Sequence, residues 1–228
     1  MMATTDLVRD DYKQLIVDTG REMITTGMTV GTWGNISFRD PETQLVYISP
    51  SGMNYTEIQP HHVFVMDLDM NHVDGVTEPS VERHMHTAVY RHRKDVNAVV
   101  HTHPTWSTVF GVVRQNLPAV SEDFAQIVGA EIEYCKTYEL PGTPELGVAA
   151  VQALKDNFAV LLPNHGALSV AGDMKTCLKV SMVLEKNAQI YLFARLIGDP
   201  QLFRPGDIEA MQTFARNHYG KKNQQFAD

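Results

Sequence analysis

Two histidines one residue apart, His101 and His103, close an apolar run, Asn97-Ala98-Val99-Val100-His101-Thr102-His103-Pro104. The run predicts a buried strand, and residues two apart on a strand project from one face, so both imidazoles leave the strand's end in the same direction. A third histidine follows the same pattern. Ala159-Val160-Leu161-Leu162-Pro163 reads as a short buried strand, and Asn164-His165-Gly166 turns off its end. A lone histidine in a turn is usually a surface or hydrogen-bonded residue. Two strand ends that each deliver imidazole point instead to a divalent metal, with zinc the natural choice for nitrogen ligands.

A carboxylate would complete such a site, and the candidate is Glu82 in Glu78-Pro79-Ser80-Val81-Glu82-Arg83-His84-Met85-His86. Pro79 and Ser80 read as a helix start, and Val81, Met85, Ala88 and Val89 form an apolar stripe at helical spacing. A helix is therefore expected from Ser80 to Arg93, with Glu82 in its first turn. A carboxylate there binds a cation or accepts a proton; it serves equally as a plain first-turn acid favoured by the helix dipole. A rival pair exists, because Glu82 and His86 are four apart on one helix face, whereas His84 and His86 diverge.

The 228 residues suffice for one large α/β domain, 1–228, and no Pro/Ser-rich or charged linker divides them. A net charge of −8, with acids and bases interspersed, argues against a nucleic-acid partner, since no basic stripe is present. Cys135 and Cys177 lie in apolar or helical surroundings without metal or disulfide spacing, which predicts buried free thiols and fits a reducing cytoplasm. No run approaches membrane-spanning length, and the amino terminus lacks a basic region followed by an apolar stretch. The chain reads as soluble and cytoplasmic, with a mobile polar tail from about Lys221.

Helix and strand alternate along the chain. Leu7 to Thr26 is an amphipathic helix capped by Thr5 or Asp6. Asn35 to Phe38 and Leu45 to Ser49 pair as a hairpin through Asp40-Pro41-Glu42, and His62 to Asp67 is a further strand with Asp69 to Asp74 the turn after it. Thr105 to Arg114 is a helix, Glu131 to Thr137 a strand, and Pro144 to Asp156, Met174 to Ile197 and Asp207 to His218 are helices. Hairpins among α/β units predict a three-layer α/β/α fold around a central mixed, mainly antiparallel sheet.

Gly31-Thr32-Trp33-Gly34-Asn35-Ile36-Ser37 and Ser49-Pro50-Ser51-Gly52 offer backbone N–H groups and small hydroxyls to an anion, or are plain loop punctuation. Neither matches a nucleotide-binding fingerprint. Together with a metal they suggest a small phosphorylated substrate.

Gly34-Asn35-Ile36-Ser37, Ser49-Pro50-Ser51-Gly52, Pro79-Ser80-Val81-Glu82, His101-Thr102-His103 and Asn164-His165-Gly166, in that order and over most of the chain, resemble the class II aldolase/adducin family, in its fuculose-phosphate aldolase branch. The resemblance implies a zinc ion, or manganese or cobalt, held by His101, His103 and His165, with Glu82 as fourth ligand and acid/base. It implies phosphate contacts from Asn35, Ser51, Gly52 and Ser80, and a homotetramer with active sites between subunits. Tyr219 matches a family tyrosine that closes over the site. The implied reaction is reversible cleavage of a ketose 1-phosphate to dihydroxyacetone phosphate and an aldehyde, with the metal stabilising an enediolate.

Two positions depart from the pattern. Val81 replaces a family serine, removing one phosphate hydroxyl, and Ser121-Glu122-Asp123-Phe124 places an acid where the fuculose-phosphate enzymes have an intersubunit tyrosine. Glu122 is a solvated loop acid or a second acid/base, as in the family's pentulose-phosphate 4-epimerases and methylthioribulose-phosphate dehydratases. The dehydratases lack the glutamate matched by Glu82. Both acids together point to an aldolase acting on a deoxy- or methylthio-pentulose phosphate. The alternatives are an epimerase, dehydratase or phospho-acid decarboxylase on the same scaffold, and a metal-free adducin-like binding module. Trp106, Phe124 and Tyr219 are expected to shape an aldehyde pocket made partly by a neighbouring subunit, or to be ordinary packing.

Overall fold

The computed structural model describes residues 7–218. Tyr219, the tail from Lys221, and the expected caps Thr5 and Asp6 lie outside the described residues. The elements run α1 (Asp10–Thr25), β1 (Asn35–Arg39), β2 (Val46–Ile48), a 3-10 turn (Pro60–His62), β3 (Phe64–Met66), β4 (His72–Asp74) and α2 (Arg83–His92). Then come β5 (Ala98–Thr102), α3 (Thr105–Val113), β6 (Leu117–Pro118), α4 (Glu122–Ile127), β7 (Glu131–Ile132), α5 (Pro144–Leu154), β8 (Ala159–Leu162), β9 (Gly166–Ala171), α6 (Met174–Ile197) and α7 (Pro205–Asn217).

Seven strands form one sheet in the order β4-β3-β2-β1-β5-β9-β8, and every ladder in it is antiparallel. The parallel element of the expected mixed sheet shrinks to an isolated bridge between Tyr134 and Leu161. The three layers are as expected. Alternation along the strands sends Ile36, Phe38 and Val100 to one face, where they pack under α1 and α6. Val99, Val160 and Leu162 go to the other face, against Met85, Val89, Leu146 and Ala150 of α2 and α5. Each Val, Leu, Ile, Phe or Met among them, fully buried, contributes about 1.5–3 kcal/mol. A third apolar cluster joins Phe110, Phe124, Val180, Leu184 and Ile208 from the helices beyond β8.

Boundaries move for identifiable reasons. The first helix starts at Asp10, not Leu7, because Arg9 is extended and its N–H donates to the Tyr47 hydroxyl at 2.8 Å. The presumed turn at 69–74 holds an exposed edge strand, β4, whose polar residues lack an apolar alternation; the actual turn is closed by Asp67, which accepts from the N–H groups of Asp69 and Asn71. The helix at Glu82 begins later than expected. Pro79 is held in a bridge with Pro50, Ser80 N–H donates to Ser49 O at 3.0 Å, and Glu82 becomes the residue before the first helical turn.

The far end of α2 is held by Arg39, a fully buried guanidinium on β1 that donates to the carbonyls of Tyr90, Lys94 and Val96 at 3.0, 3.0 and 2.6 Å. A cation on the last carbonyls satisfies groups the helix cannot. Glu82 immediately precedes this helix, so Arg39 anchors the far end of the element that follows the carboxylate. No described helix is long and apolar enough to cross a membrane.

Candidate metal centre

β5 ends in the middle of the sheet, with Asn35 of β1 opposite His101 on one side and Leu168 of β9 opposite it on the other. Backbone approach around this end is close. A Cβ on Gly34 would lie 2.6 Å from His101 O, and one on Gly166 would lie 2.2 Å from Thr102 O. Only glycine lets the loop before β1 and the β8–β9 hairpin close against the strand. That hairpin turns through Asn164 at φ 55°, a left-handed conformation asparagine tolerates, and delivers His165 over His101.

Glu82, His101, His103 and His165 each offer one atom to a common point, all within 4.8 Å of one another. His101 Nε2 lies 2.9 Å from His103 Nε2, 3.2 Å from His165 Nε2 and 3.3 Å from Glu82 Oε2, and His165 Nε2 lies 3.5 Å from Glu82 Oε1. Tetrahedral ligands at 2.0–2.1 Å from a cation stand about 3.3 Å apart. His101 Nδ1 lies 2.9 Å from Ala167 O, to which it donates, leaving the Nε2 lone pair directed at the cluster. Glu82 Oε1 is buried and has no hydrogen-bond partner among the described residues. An orphaned carboxylate oxygen facing three imidazole lone pairs fits a divalent cation. The rival pair is not formed: His86 is buried beneath the site, with its two ring nitrogens engaged by Asn35 and Ser37.

Burial pushes the His101 and His103 imidazoles down to about 4 and that of His165 to about 3, keeping them in the neutral form that binds metal. His101 is faced by Glu82, His103 and His165. The unfolded chain, with histidines near 6.5, therefore binds more protons than the folded one between about 4 and 6.5. Thermal stability of the metal-free protein is expected to hold above about pH 6.5 and to fall as pH drops from there towards about 4. Melting temperatures across that range check this; a flat profile would contradict it.

Three members of the cluster, Glu82, His103 and His165, line a cleft of about 420 Å³, the size of a small-molecule site, with His101 buried behind them. Asn35, Ser51, Gly52 and Ser80, the expected phosphate residues, line it with Glu82, His103 and His165. Among the described residues no lysine or arginine does so. Ser80 Oγ accepts from Glu82 N–H at 3.2 Å, which leaves its hydroxyl proton to donate into the cleft. Asn35 Nδ2 donates to Glu82 Oε2 at 2.7 Å.

Other expected residues lie elsewhere. Glu122 is in the first turn of α4, beside Asp123, Gln126 and Lys186, and is not on the cleft wall. Phe124 is wholly buried in the core and cannot shape a pocket. Trp106 packs on Phe193 at 5.5 Å between ring centroids, also off the cleft wall. The aromatic wall is instead Trp33, 65% exposed and 5.8 Å from the His103 ring, and Tyr138. Trp33 lies in a turn already singled out for its glycines; nothing in the sequence around Tyr138 marks it.

Residues 14–192 match the family model described as Class II Aldolase and Adducin N-terminal domain. The chain belongs to this family. It is 40% identical over 197 residues to 5-deoxy-D-ribulose 1-phosphate aldolase of Bacillus thuringiensis serovar kurstaki, covering 86% of this chain and 92% of that protein. It is 34% identical to L-fuculose phosphate aldolase of Escherichia coli strain K12, covering 84% and 87%. A solved L-fuculose 1-phosphate aldolase superposes with a TM-score of 0.88 at 35% identity, covering 92% of this chain and 98% of that one. With its His/Glu set assembled and aldolases as its relatives, this chain is a class II aldolase, an enzyme of the lyase class.

Proposed function

We propose that this class II aldolase cleaves a ketose 1-phosphate, a fuculose-phosphate-like sugar or a deoxy- or methylthio-pentulose phosphate, to dihydroxyacetone phosphate and an aldehyde. The observation that carries this reading is a cleft lined by His103, His165 and Glu82, with His101 buried directly behind them in the same cluster and the small polar groups of Ser51, Gly52 and Ser80 beside them. Zinc, or manganese or cobalt, fits a set of three nitrogens and one oxygen. When bound, such a cation supplies Lewis-acid stabilisation of the negative charge that develops on the ketose oxygens as C3–C4 breaks.

The chain's own groups do the rest. Asn35, Ser51 and Ser80, with the turn at Gly52, hold the phosphate by donated hydrogen bonds and without a cationic side chain. Glu82 takes and returns the proton at C3 of the dihydroxyacetone phosphate half, its carboxylate being the one carboxylate on the cleft wall among the described residues. The wall formed by Trp33, Val81 and Tyr138 is apolar and suits an aldehyde half poor in hydroxyls.

We also assign Glu122 to the aldehyde side of a neighbouring subunit's site, and Tyr219 to closure over the site. Supporting a homotetramer with shared sites, Glu122 lies away from its own cleft, and α6 ends in exposed Phe193, Leu196 and Ile197. Buried free Cys135 and Cys177 are consistent with a cytoplasmic enzyme.

The test is a coupled assay for dihydroxyacetone phosphate with a panel of ketose 1-phosphates. Release that chelation abolishes and zinc restores is the expected result. No release from any of them by zinc-loaded protein would refute the reading, and consumption of a sugar phosphate without that product would favour an epimerase or dehydratase.

A further inference from the structure

Behind Glu82 and Asn35 runs a row of buried polar side chains, His86, Ser37 and Tyr90, that do not line the cleft. His86 Nε2 lies 2.5 Å from Asn35 Oδ1, His86 Nδ1 lies 2.6 Å from Ser37 Oγ, and Ser37 Oγ lies 2.7 Å from the Tyr90 hydroxyl. His86, Ser37 and Tyr90 are wholly buried and Asn35 nearly so. Such groups are costly to bury even when paired, and apolar residues would fill the same space without needing partners.

The direction of every bond follows from the first. A carboxylate only accepts, so Asn35 must present its NH2 to Glu82, which turns its carbonyl towards His86. That carbonyl needs a donor, so His86 carries its proton on Nε2. Wholly buried with no carboxylate against it, the imidazole is pushed down to about 3 and stays neutral. Its Nδ1 therefore accepts from the Ser37 hydroxyl, whose oxygen accepts in turn from Tyr90. All four donors point towards Glu82, an arrangement in which each bond polarises the next.

We infer that His86, with Ser37 behind it, is a positioning residue that locks the Asn35 amide with its NH2 towards the cleft, and so orients the Glu82 carboxylate. Without that lock the amide is free to turn its carbonyl to Glu82, setting two acceptors against each other and removing a donor from the cleft wall. The inference deepens the reading of Glu82 as acid/base and rests on it.

The experiment compares zinc-loaded wild type with His86→Phe, His86→Gln and Ser37→Ala. Phenylalanine keeps the ring volume and removes the donor; glutamine keeps an N–H for Asn35. For His86→Phe, kcat for dihydroxyacetone phosphate release and zinc affinity, measured against a chelating dye, are each expected to fall about 10–100-fold, the usual cost of an outer hydrogen-bond partner. His86→Gln recovers most of both. Ring 15N spectra of wild type should place the His86 proton on Nε2, and Ser37→Ala should lose that preference.

A purely structural role would lower the melting temperature of His86→Phe while leaving kcat and zinc affinity within about twofold of wild type; that result, or a proton on Nδ1, overturns the inference. If His86→Phe does not fold, Ser37→Ala with wild-type kcat, zinc affinity and ring spectrum overturns it equally. Failure of the aldolase reading is distinct, because wild type itself then releases no dihydroxyacetone phosphate, and zinc affinity with the ring spectrum still decides the role of His86.

Discussion

Glu82→Gln is expected to lower kcat for release of dihydroxyacetone phosphate by about 10²–10⁴-fold, or roughly 3–5 kcal/mol of barrier, the range for losing a positioned acid/base. The substitution is nearly isosteric. Its carbonyl still accepts from Asn35, which now holds Glu82 Oε2 at 2.7 Å, and the three imidazoles are untouched. What disappears is basicity at the oxygen that has no hydrogen-bond partner, Oε1, 3.5 Å from His165 Nε2. KM is expected to change little, because Ser51, Gly52 and Ser80 still line the cleft. Zinc should remain bound to His101, His103 and His165 at reduced affinity, so metal content and kcat measured on one sample separate chemistry from metal loss. A kcat within tenfold of wild type, with zinc bound, would remove Glu82 from the reaction.

The sheet was legible where strands are buried on both faces. Ala98–Val100 and Ala159–Leu162 are continuous apolar runs, and the hairpin of β1 and β2 is marked by its Asp-Pro turn. β9 does not stand out in the sequence, because four of the six residues in Gly166-Ala167-Leu168-Ser169-Val170-Ala171 are Gly, Ala or Ser and their burial comes from the neighbours β5 and β8. The six residues of α4 carry too few positions for a helical period, which is why Glu122 read as a loop acid.

At the site, the histidine cluster was legible because His101 and His103 stand two apart at the end of β5, and because a turn must follow Leu162-Pro163. Glu82 was found, but its place before the helix was not, since that depends on the Pro50–Pro79 bridge between segments 29 residues apart in sequence. Of the aromatics weighed for the pocket, Phe124 proves to be packing. Type and spacing do not tell Phe124, fully buried under α6, from Trp33, exposed beside His103; only the packing of α4 and α6 separates them. His86 was weighed as a ligand because it shares a helix face with Glu82, yet Ser37 and Asn35, two apart on β1, capture both its nitrogens.

His101→Ala is expected to have the largest effect of any single change at the cluster. Its Nε2 lies within 3.3 Å of an atom of each of the other three members, so it is the common neighbour of the set. Removing it takes away one of three nitrogen ligands, and the loss of zinc affinity should exceed the roughly 10–100-fold cost of losing an outer partner. It also strips Ala167 O of a donor and opens a hole at a fully buried position between β1 and β9. Metal and fold are linked here: a cation that binds only the folded chain stabilises it by about 4 kcal/mol at a thousandfold excess over its Kd. Zinc should therefore raise the melting temperature of wild type and of Glu82→Gln, and leave that of His101→Ala unmoved. The pair of variants then divides the cluster's two tasks. Glu82→Gln keeps metal and loses turnover, whereas His101→Ala loses both. A His101→Ala protein that retains zinc at wild-type affinity would show that the ion is held elsewhere and would dissolve the proposed centre.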